Sequence, residues 1–530
     1  ERHRSLLSSR GTNRSVSNHC GPMSPLGIQS GRKPLAYCGH SLTNFSWTRA
    51  NGAAWTGFLP QGLCAPAREE SLEPLALAVL LHDNAPGLDD KQRGRARYHF
   101  GVSPLAWRAI LMTGDQAFER ESGAEEEKLG GPSQLRRLML SGLAVVSYPG
   151  SQAEQLLLAP QELRTADPSF ATEIYNGHFG LAGKLADVGA QSPFEIEPPS
   201  VTWARELYGC GWLRHLRAAD SELSREQAKT LVHDFIRLRR QLPPLAWQPE
   251  IVARRVISWL SNSVLVLAAD EPEAYESFLK ELTAQLRYLS AGYRDAPDGV
   301  PRLLSLMALL YGGLCIADQN PVVDRYIKPF CRELDRQILP DGGHISRNPE
   351  ALVELLLDLL PLRQCFVARD RTPPKELTDA VDRIMPMLRF FRLGDGSMAR
   401  FNGAGPTPTD ALATVRAYDD IEGAPVRSAA NSGYVRVEAG STLVLCDLGP
   451  PPVTSLTREA HAGFLSFEMS SGDAPIIINC GTPTPEFEEW RLFSRTTPAH
   501  STLSLEEDSL AEFEVATEDG EPEADATLIG

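Results

Sequence analysis

The stretch TREAHAGFLSFEMSSGDAPIIINCGTPTPEFEEWRLFSRTTPAHSTLSLEED, residues 457–508, decides the reading of the carboxyl-terminal part of the chain. Leu465, Phe467 and Met469 alternate with Ser466, Glu468 and Ser470, the period-2 pattern of a half-buried strand. Ser471, Gly472 and Asp473 form a turn, and Ile476–Ile478 reads as a second strand. Ser501–Leu505 alternates again and predicts a third. His461 stands before the first strand, Asn479 ends the second and His500 opens the third. The three side chains therefore gather near one rim of an antiparallel sheet, where a metal or a sugar can be held.

Working outward, Asn431–Pro452 alternates like strands with a turn at Ala439–Gly440, and sheet is expected to continue to the end of the chain. The tail EDGEPEADATLIG is acidic and stops abruptly. Upstream, RLGDGSMARFNGAG reads as a loop-rich hinge, and residues 201–392 are helical in pattern. One helix is expected to open at Ser224, with Gln227 as its capping-box partner, and to stop at Pro243–Pro244. It buries Ala228, Leu231, Val232 and Phe235 at 3–4 spacing. The next begins at Pro249 and carries Val252, Val256, Trp259 and Leu260. Others are expected at 272–292, 301–317, 320–338, 349–367 and 374–392, several opened by a proline whose missing N–H costs nothing in a first turn. Before them, Leu156–Ala159 is strand-like and Phe170–Tyr175 helix-like.

Residues 1–68 contain no acid between Glu1 and Glu69 and read as a disordered extension or a stretch foreign to the fold; residues 69–150 are mixed, with short apolar pieces and a charged run at Glu125–Lys128, and are assigned no function. No run is long enough for a membrane span, and no signal peptide is visible. A formal charge of −16 argues against a general nucleic-acid binder, yet leaves room for an arginine-lined cleft taking an anionic polysaccharide. Nine scattered cysteines without a C-x-x-C pair read as buried free thiols.

H-A-x-x-L-S-F-E from His461, I-N-C-G-T from Ile478 and W-R-x-x-x-R-T-T-x-A-H-S-T from Trp490 together resemble the carboxyl-terminal sheet domain of the heparinase II/III-like polysaccharide lyases. The resemblance covers about residues 155–510 and implies an α+β multidomain fold, an incomplete α/α toroid (201–415, after a lead-in 151–200) followed by an antiparallel β-sandwich (416–530). A sheet domain this short predicts that the family's carboxyl terminus is missing here. The resemblance further implies a bacterial enzyme of the cell envelope or periplasm that cleaves acidic, uronate-bearing polysaccharide by β-elimination, with a cytoplasmic location as the alternative.

Such a lyase neutralises the sugar carboxylate, removes the neighbouring proton and protonates the leaving oxygen. Arginine, asparagine or a protonated histidine suits the first task, and tyrosine or histidine the others. On the resemblance, the loop DGGHISRNP supplies His344 as acid or base, with Arg347, Asn348 and Arg302 on the carboxylate and His461 and Glu459 closing the cleft. Trp212, His215 and Arg495 are further substrate contacts, Trp212 as a stacking platform. The family's metal site maps to His461, Asn479 and His500, which makes zinc the candidate cofactor, although a neutral amide is a poorer zinc ligand than a carboxylate.

Three positions depart from the family pattern. Its catalytic tyrosine and the adjacent histidine fall at Ala351 and Leu352, its Asn-His pair at Pro301 and Arg302, and the first histidine of His-x-His-Ala-Asp at Glu459. A protein that keeps the fold and binds or helps export an envelope glycan is therefore the rival reading. A hydrolase built on Asp341 and Glu459 is a third. Blander roles stand beside several sites: His461 and His500 bonding across strand ends, His344 bracing its turn, Arg495 buried against Glu488 or Glu489, Trp259 in the core and Tyr434 as packing, while Trp247 is a further stacking candidate and Tyr175 and His178, flanking a glycine turn, are weaker ones still.

Overall fold

Leucine-rich segments with prolines in their first turns fold as helices, and those helices bury each other. The protein is described here by a computed structural model covering residues 148–267, 272–419, 425–504, 509–515 and 526–529. The acid-poor 1–68 segment, nearly all of 69–150 and most of the acidic tail lie outside the described residues.

A short helix α1 (Ser169–Tyr175) leads into a hairpin of β1 (His178–Leu181) and β2 (Lys184–Asp187). The helical part then runs α2 (Val201–Gly209), α3 (Leu213–Ala219), α4 (Glu222–Leu238), α5 (Pro249–Ser261), α6 (Ser263–Val266), α7 (Pro272–Gly292), α8 (Val300–Cys315), α9 (Asn320–Gln337), α10 (Pro349–Ala368) and α11 (Lys375–Phe390). From α5 onward the expected helices stand within a residue or two of their expected starts. The helix α4 opens earlier than expected. Ser221 is its cap and accepts from Ser224 N at 3.0 Å, while Ser224 Oγ returns a bond to Ser221 N at 3.0 Å, so Ser224 belongs to the first turn. It also stops at Leu238, short of Pro243.

The helix α8 is the centre of this part. Its residues from Leu303 to Cys315 are all buried, and α5, α9 and α10 pack against it. Trp203, Trp212, Trp259, Phe235, Phe278 and Phe366 are among the largest fully buried side chains of the helical part. At about 1.5–3 kcal/mol for each large side chain buried, this apolar content dominates the stability of the helical part. Residues 151–165 are sewn onto it. Leu156 bridges Ile316 instead of forming a strand, Ala153 N donates to Thr283 Oγ1 at 3.0 Å, and Arg164 reaches Asp358 of α10.

After α12 (Thr409–Arg416) comes an antiparallel sheet ordered β3 (Ser428–Ala429), β4 (Tyr434–Ala439), β5 (Thr442–Asp447), β6 (Phe467–Ser471), β7 (Ala474–Ile477). A helix α13 (Arg491–Arg495) and a separate pair, β8 (Glu512–Val515) and β9 (Ala526–Ile529), follow. The period-2 reading of residues 465–471 holds, but the face is reversed. Glu468 and Ser470 are the fully buried residues, whereas Phe467 and Met469 are half-buried. Leu465 lies outside the strand, 65% exposed. The inward side chains meet the backbone of the loop after α11. Ser470 Oγ accepts Gly394 N at 3.0 Å, and Glu468 Oε1 accepts Arg400 N at 3.1 Å. Residues 501–504 form no strand, and Leu505 lies outside the described residues. Among the described residues no helix is long and apolar enough to cross a membrane, and the cysteines are free thiols.

Candidate functional site

The candidate residues fall along the seam where the α9–α10 connection meets the sheet. That connection, residues 338–348, is a tight loop closed by Leu339 N on Gly343 O and Ile345 N on Gln337 O, both at 2.8 Å. Asp341 turns outward from it and accepts Ser432 N at 2.7 Å and Ser432 Oγ at 3.0 Å, which fastens the loop to the sheet part.

His344 lies beneath the loop and is 2% exposed. Its Nε2 sits 3.0 Å from Gln337 Oε1 and its Nδ1 2.6 Å from Ser346 Oγ. The Gln337 amide nitrogen donates to Gly299 O at 2.8 Å, so Oε1 is the accepting end and His344 carries its proton on Nε2. Burial, helped by the Arg336 charge, pushes the imidazole down to about 3. This is a neutral, doubly bonded ring that braces its turn, with neither nitrogen turned to solvent.

Arg347 takes φ +63° and lies inside the seam. Its guanidinium pairs with Asp447 and donates to the carbonyls of Ser432 (2.9 Å), Gly449 (3.3 Å) and Pro450 (2.7 Å), while stacking 4.8 Å over Tyr434. Asp447 also accepts Asn402 Nδ2 at 2.9 Å, and Tyr434 donates to Arg347 O at 2.6 Å. Burial opposes the charge, but Tyr434 and Asp447 more than restore it, so the Arg347 pKa stays raised.

Asn348 caps α10, accepting Glu350 N at 2.8 Å. Gly403, at φ +97°, threads between Asn348 and Glu459; a β-carbon there would come within 2.7 Å of Glu459 O and 3.2 Å of Asn348 Nδ2. Glu350 accepts Gly405 N at 2.9 Å, and Thr482 Oγ1 donates to Gly403 O at 2.7 Å. The residues 401–405 thus fill the space where the two parts meet. The cavity left beside them, lined by Glu350, Val353, Met398 and Ala404, measures about 10 Å³, room for roughly one water and no sugar ring. Glu459 is exposed and pairs with Arg491 at 2.7 Å.

The other expected contacts stand elsewhere or face inward. Trp212 is 2% exposed and donates its indole N–H to Leu207 O at 3.1 Å, so it offers no face to a sugar. His215 accepts Asp167 N at 2.8 Å, and burial lowers it to about 4. Arg302 bonds Asp298 at 3.5 Å and Ala296 O at 3.2 Å. Arg495, 2% exposed, donates to Ala460 O at 3.0 Å and Thr457 O at 2.9 Å. Trp259 is fully buried core.

The two rim histidines come together, His461 Nδ1 lying 3.0 Å from His500 Nε2, while Asn479 bonds the neighbour of His500, its Oδ1 accepting Ser501 N at 2.9 Å. Among the described residues no group of three histidine, cysteine or acidic side chains converges on a point, so the rim offers two nitrogens and an already bonded amide where zinc takes four donors. That donor set does not fit zinc.

Sequence reading missed Asp447, Asn402 and Glu468. Asp447 had a signal. It falls in phase with Leu443 and Leu445 on β5, and an acid on the inward phase of a strand needs a buried partner.

Comparison with known proteins follows this geometry. Residues 421–521 match the model of the heparinase II/III-like carboxyl-terminal domain. Over 419 residues the chain is 34% identical to FtsZ-localized protein C of Caulobacter vibrioides, covering 78% of this chain and 68% of that protein. Among solved structures, heparinase III superposes with a TM-score of 0.53 at 13% identity, over 71% of this chain and 68% of that one. Heparan sulfate lyase HepC from Pedobacter heparinus gives a TM-score of 0.46 at 18% identity, over 72% and 67%. The heparinase III likeness is one of fold.

Proposed function

The chain belongs to the heparinase II/III-like family, and from that premise we propose that it keeps the fold as a binding scaffold without the elimination chemistry. In this reading the helices within 201–415 are the family's incomplete α/α toroid, and the sheet within 416–530 is part of its β-sandwich. One observation carries the proposal. The basic groups that would have to face a uronate are engaged inside the protein: Arg347 by Asp447 and three carbonyls, His344 by Gln337 and Ser346. The positions in register with the family's tyrosine and its neighbouring histidine, Ala351 and Leu352, are buried in α10, so no side chain there supplies the proton transfer.

The partner we propose is FtsZ, after the relative named for localising with it, and with it a cytoplasmic place instead of the envelope place that lyases imply. The rival is an acidic polysaccharide, cut or merely held. Two measurements on the full chain separate them. The first is absorbance of the unsaturated uronate after incubation with heparan sulfate, chondroitin or alginate. The second is binding to purified FtsZ and to the same glycans. The scaffold reading expects a flat absorbance trace and saturable binding to FtsZ. A rise in absorbance overturns it, and retention on a glycan without binding to FtsZ makes the polysaccharide the ligand.

A further inference from the structure

The resemblance assigns a metal to His461, Asn479 and His500, and the donor set there does not suit one. We propose that this chain carries a metal-free pin at that rim, two neutral imidazoles joined by a single N–H···N bond, with Asn479 turned to the sheet.

The proton positions follow from the partners. His500 Nδ1 lies 2.8 Å from the Thr496 carbonyl, which only accepts, so that nitrogen holds the proton and Nε2 of the neutral ring is bare. The bare nitrogen faces His461 Nδ1 at 3.0 Å. His461 has a second neighbour, Thr482 Oγ1, 3.3 Å from Nε2, and the hydroxyl proton of Thr482 goes to Gly403 O at 2.7 Å. A neutral His461 ring has one proton for two candidate bonds, and the shorter one, to His500, takes it. A metal between the rings would require both facing nitrogens bare.

Asn479 spends its oxygen and its backbone N–H on something other than a metal. Its Oδ1 accepts Ser501 N at 2.9 Å, and its backbone N–H reaches Glu468 Oε1 at 3.0 Å. Its Nδ2 and Glu468 Oε2 are buried, and neither completes a hydrogen bond. An aspartate at 479 would set a second carboxylate beside Glu468. The neutral side chain adds no charge there, and the backbone N–H serves the acid.

The clamping that a metal would supply is also already present. The segment around His461 is laced to the segment around His500. Ala462 N donates to Arg495 O at 2.8 Å, Thr497 Oγ1 to Ala462 O at 2.7 Å, and Thr502 Oγ1 to Phe464 O at 2.6 Å. Gly463 allows the close approach, since a β-carbon there would sit 2.6 Å from His500 Cδ2.

The test uses the full chain purified without chelator. Metal content is measured, thermal melts are run with EDTA and with added zinc, and the histidine ring nitrogens are read by long-range ¹H–¹⁵N spectra. The pin predicts no stoichiometric metal, a melting midpoint unmoved by either addition, and both rings protonated on Nδ1. Stoichiometric metal with a midpoint lowered by EDTA overturns it. So does a midpoint raised by zinc, or a His461 protonated on Nε2 with Nδ1 bare.

Discussion

The helical part and the sheet part are held by different physics. In the helical part the leucines of α8 are buried and Phe235 meets Trp259 edge-on, and the contribution scales with area. The inner face of the sheet buries Glu468, Ser470, Asp447 and the seam arginine Arg347, and each is kept by named partners. Area is forgiving of pH and of small displacements. A partnered polar face is not, because a lost partner leaves a buried group unsatisfied. The sheet face is therefore where a single lost partner does most local damage.

The largest expected effect tests that contrast directly. Arg347→Ala strips Asp447 of its cation and should cost about 3–5 kcal/mol, the usual scale for unpairing a buried ion pair. Protease should then cut first at the 338–348 and 425–450 seam. Trp259→Ala in the helical core should cost about 3–5 kcal/mol by leaving a cavity, with no such local cutting. Urea unfolding with limited proteolysis reads both. Equal proteolytic patterns would erase the distinction between the two parts.

The pH response comes next. Burial depresses His344 to about 3 and His215 and His500 to about 4, and lowers His461 as well. Below about 6.5 the unfolded chain takes up protons that these folded rings refuse. Stability is therefore full above that pH and falls as pH drops toward the folded values, by about 1.4 kcal/mol per pH unit for each fully offset group. Glu468 opposes them. Its folded pKa, raised by burial to about 7, gives stability that is present below its ordinary value and lost as pH rises through 7. Glu206, Glu281, Glu350 and Asp447 are raised by burial too and act in the same sense as Glu468, so the rings' share is the part of the stability slope between pH 6.5 and 4, read in thermal melts, that histidine variants remove. His344→Gln should remove about one proton from that slope; an unchanged slope would show that the ring already titrates in the folded protein.

The smallest effect sharpens the other side. Val264 on α6 is 68% exposed, and Val264→Ser should change stability by no more than about 0.5 kcal/mol.

The helices were legible because 3–4 spacing and first-turn prolines are local signals, and Pro249, Pro272 and Pro349 open helices where the pattern placed them. The strands were legible in period but not in face. Alternation of Phe467 with Glu468 cannot say which side meets a partner. The partner was the backbone of 394–400, donors that a reading of side chains as a loop-rich hinge does not register. Trp212 misled because Arg214 and His215 follow it closely in sequence, whereas its own indole finds a carbonyl in the core. The pairing of the rim histidines was legible from motif spacing, and its wiring was not, since tautomers follow from neighbours such as Thr496 that carry no sequence signal.

The bond between Arg164 and Asp358 spans 194 residues, and Arg254 shares the same carboxylate. During synthesis at about 5–20 residues per second, the acid leaves the ribosome roughly 10–40 s after the arginine. Over that interval the lead-in has emerged with its main docking surface, α8 and α10, still unmade. The first described stretch to be translated is thus among the last to be fastened, and its folding is timed by the ribosome more than by the chain.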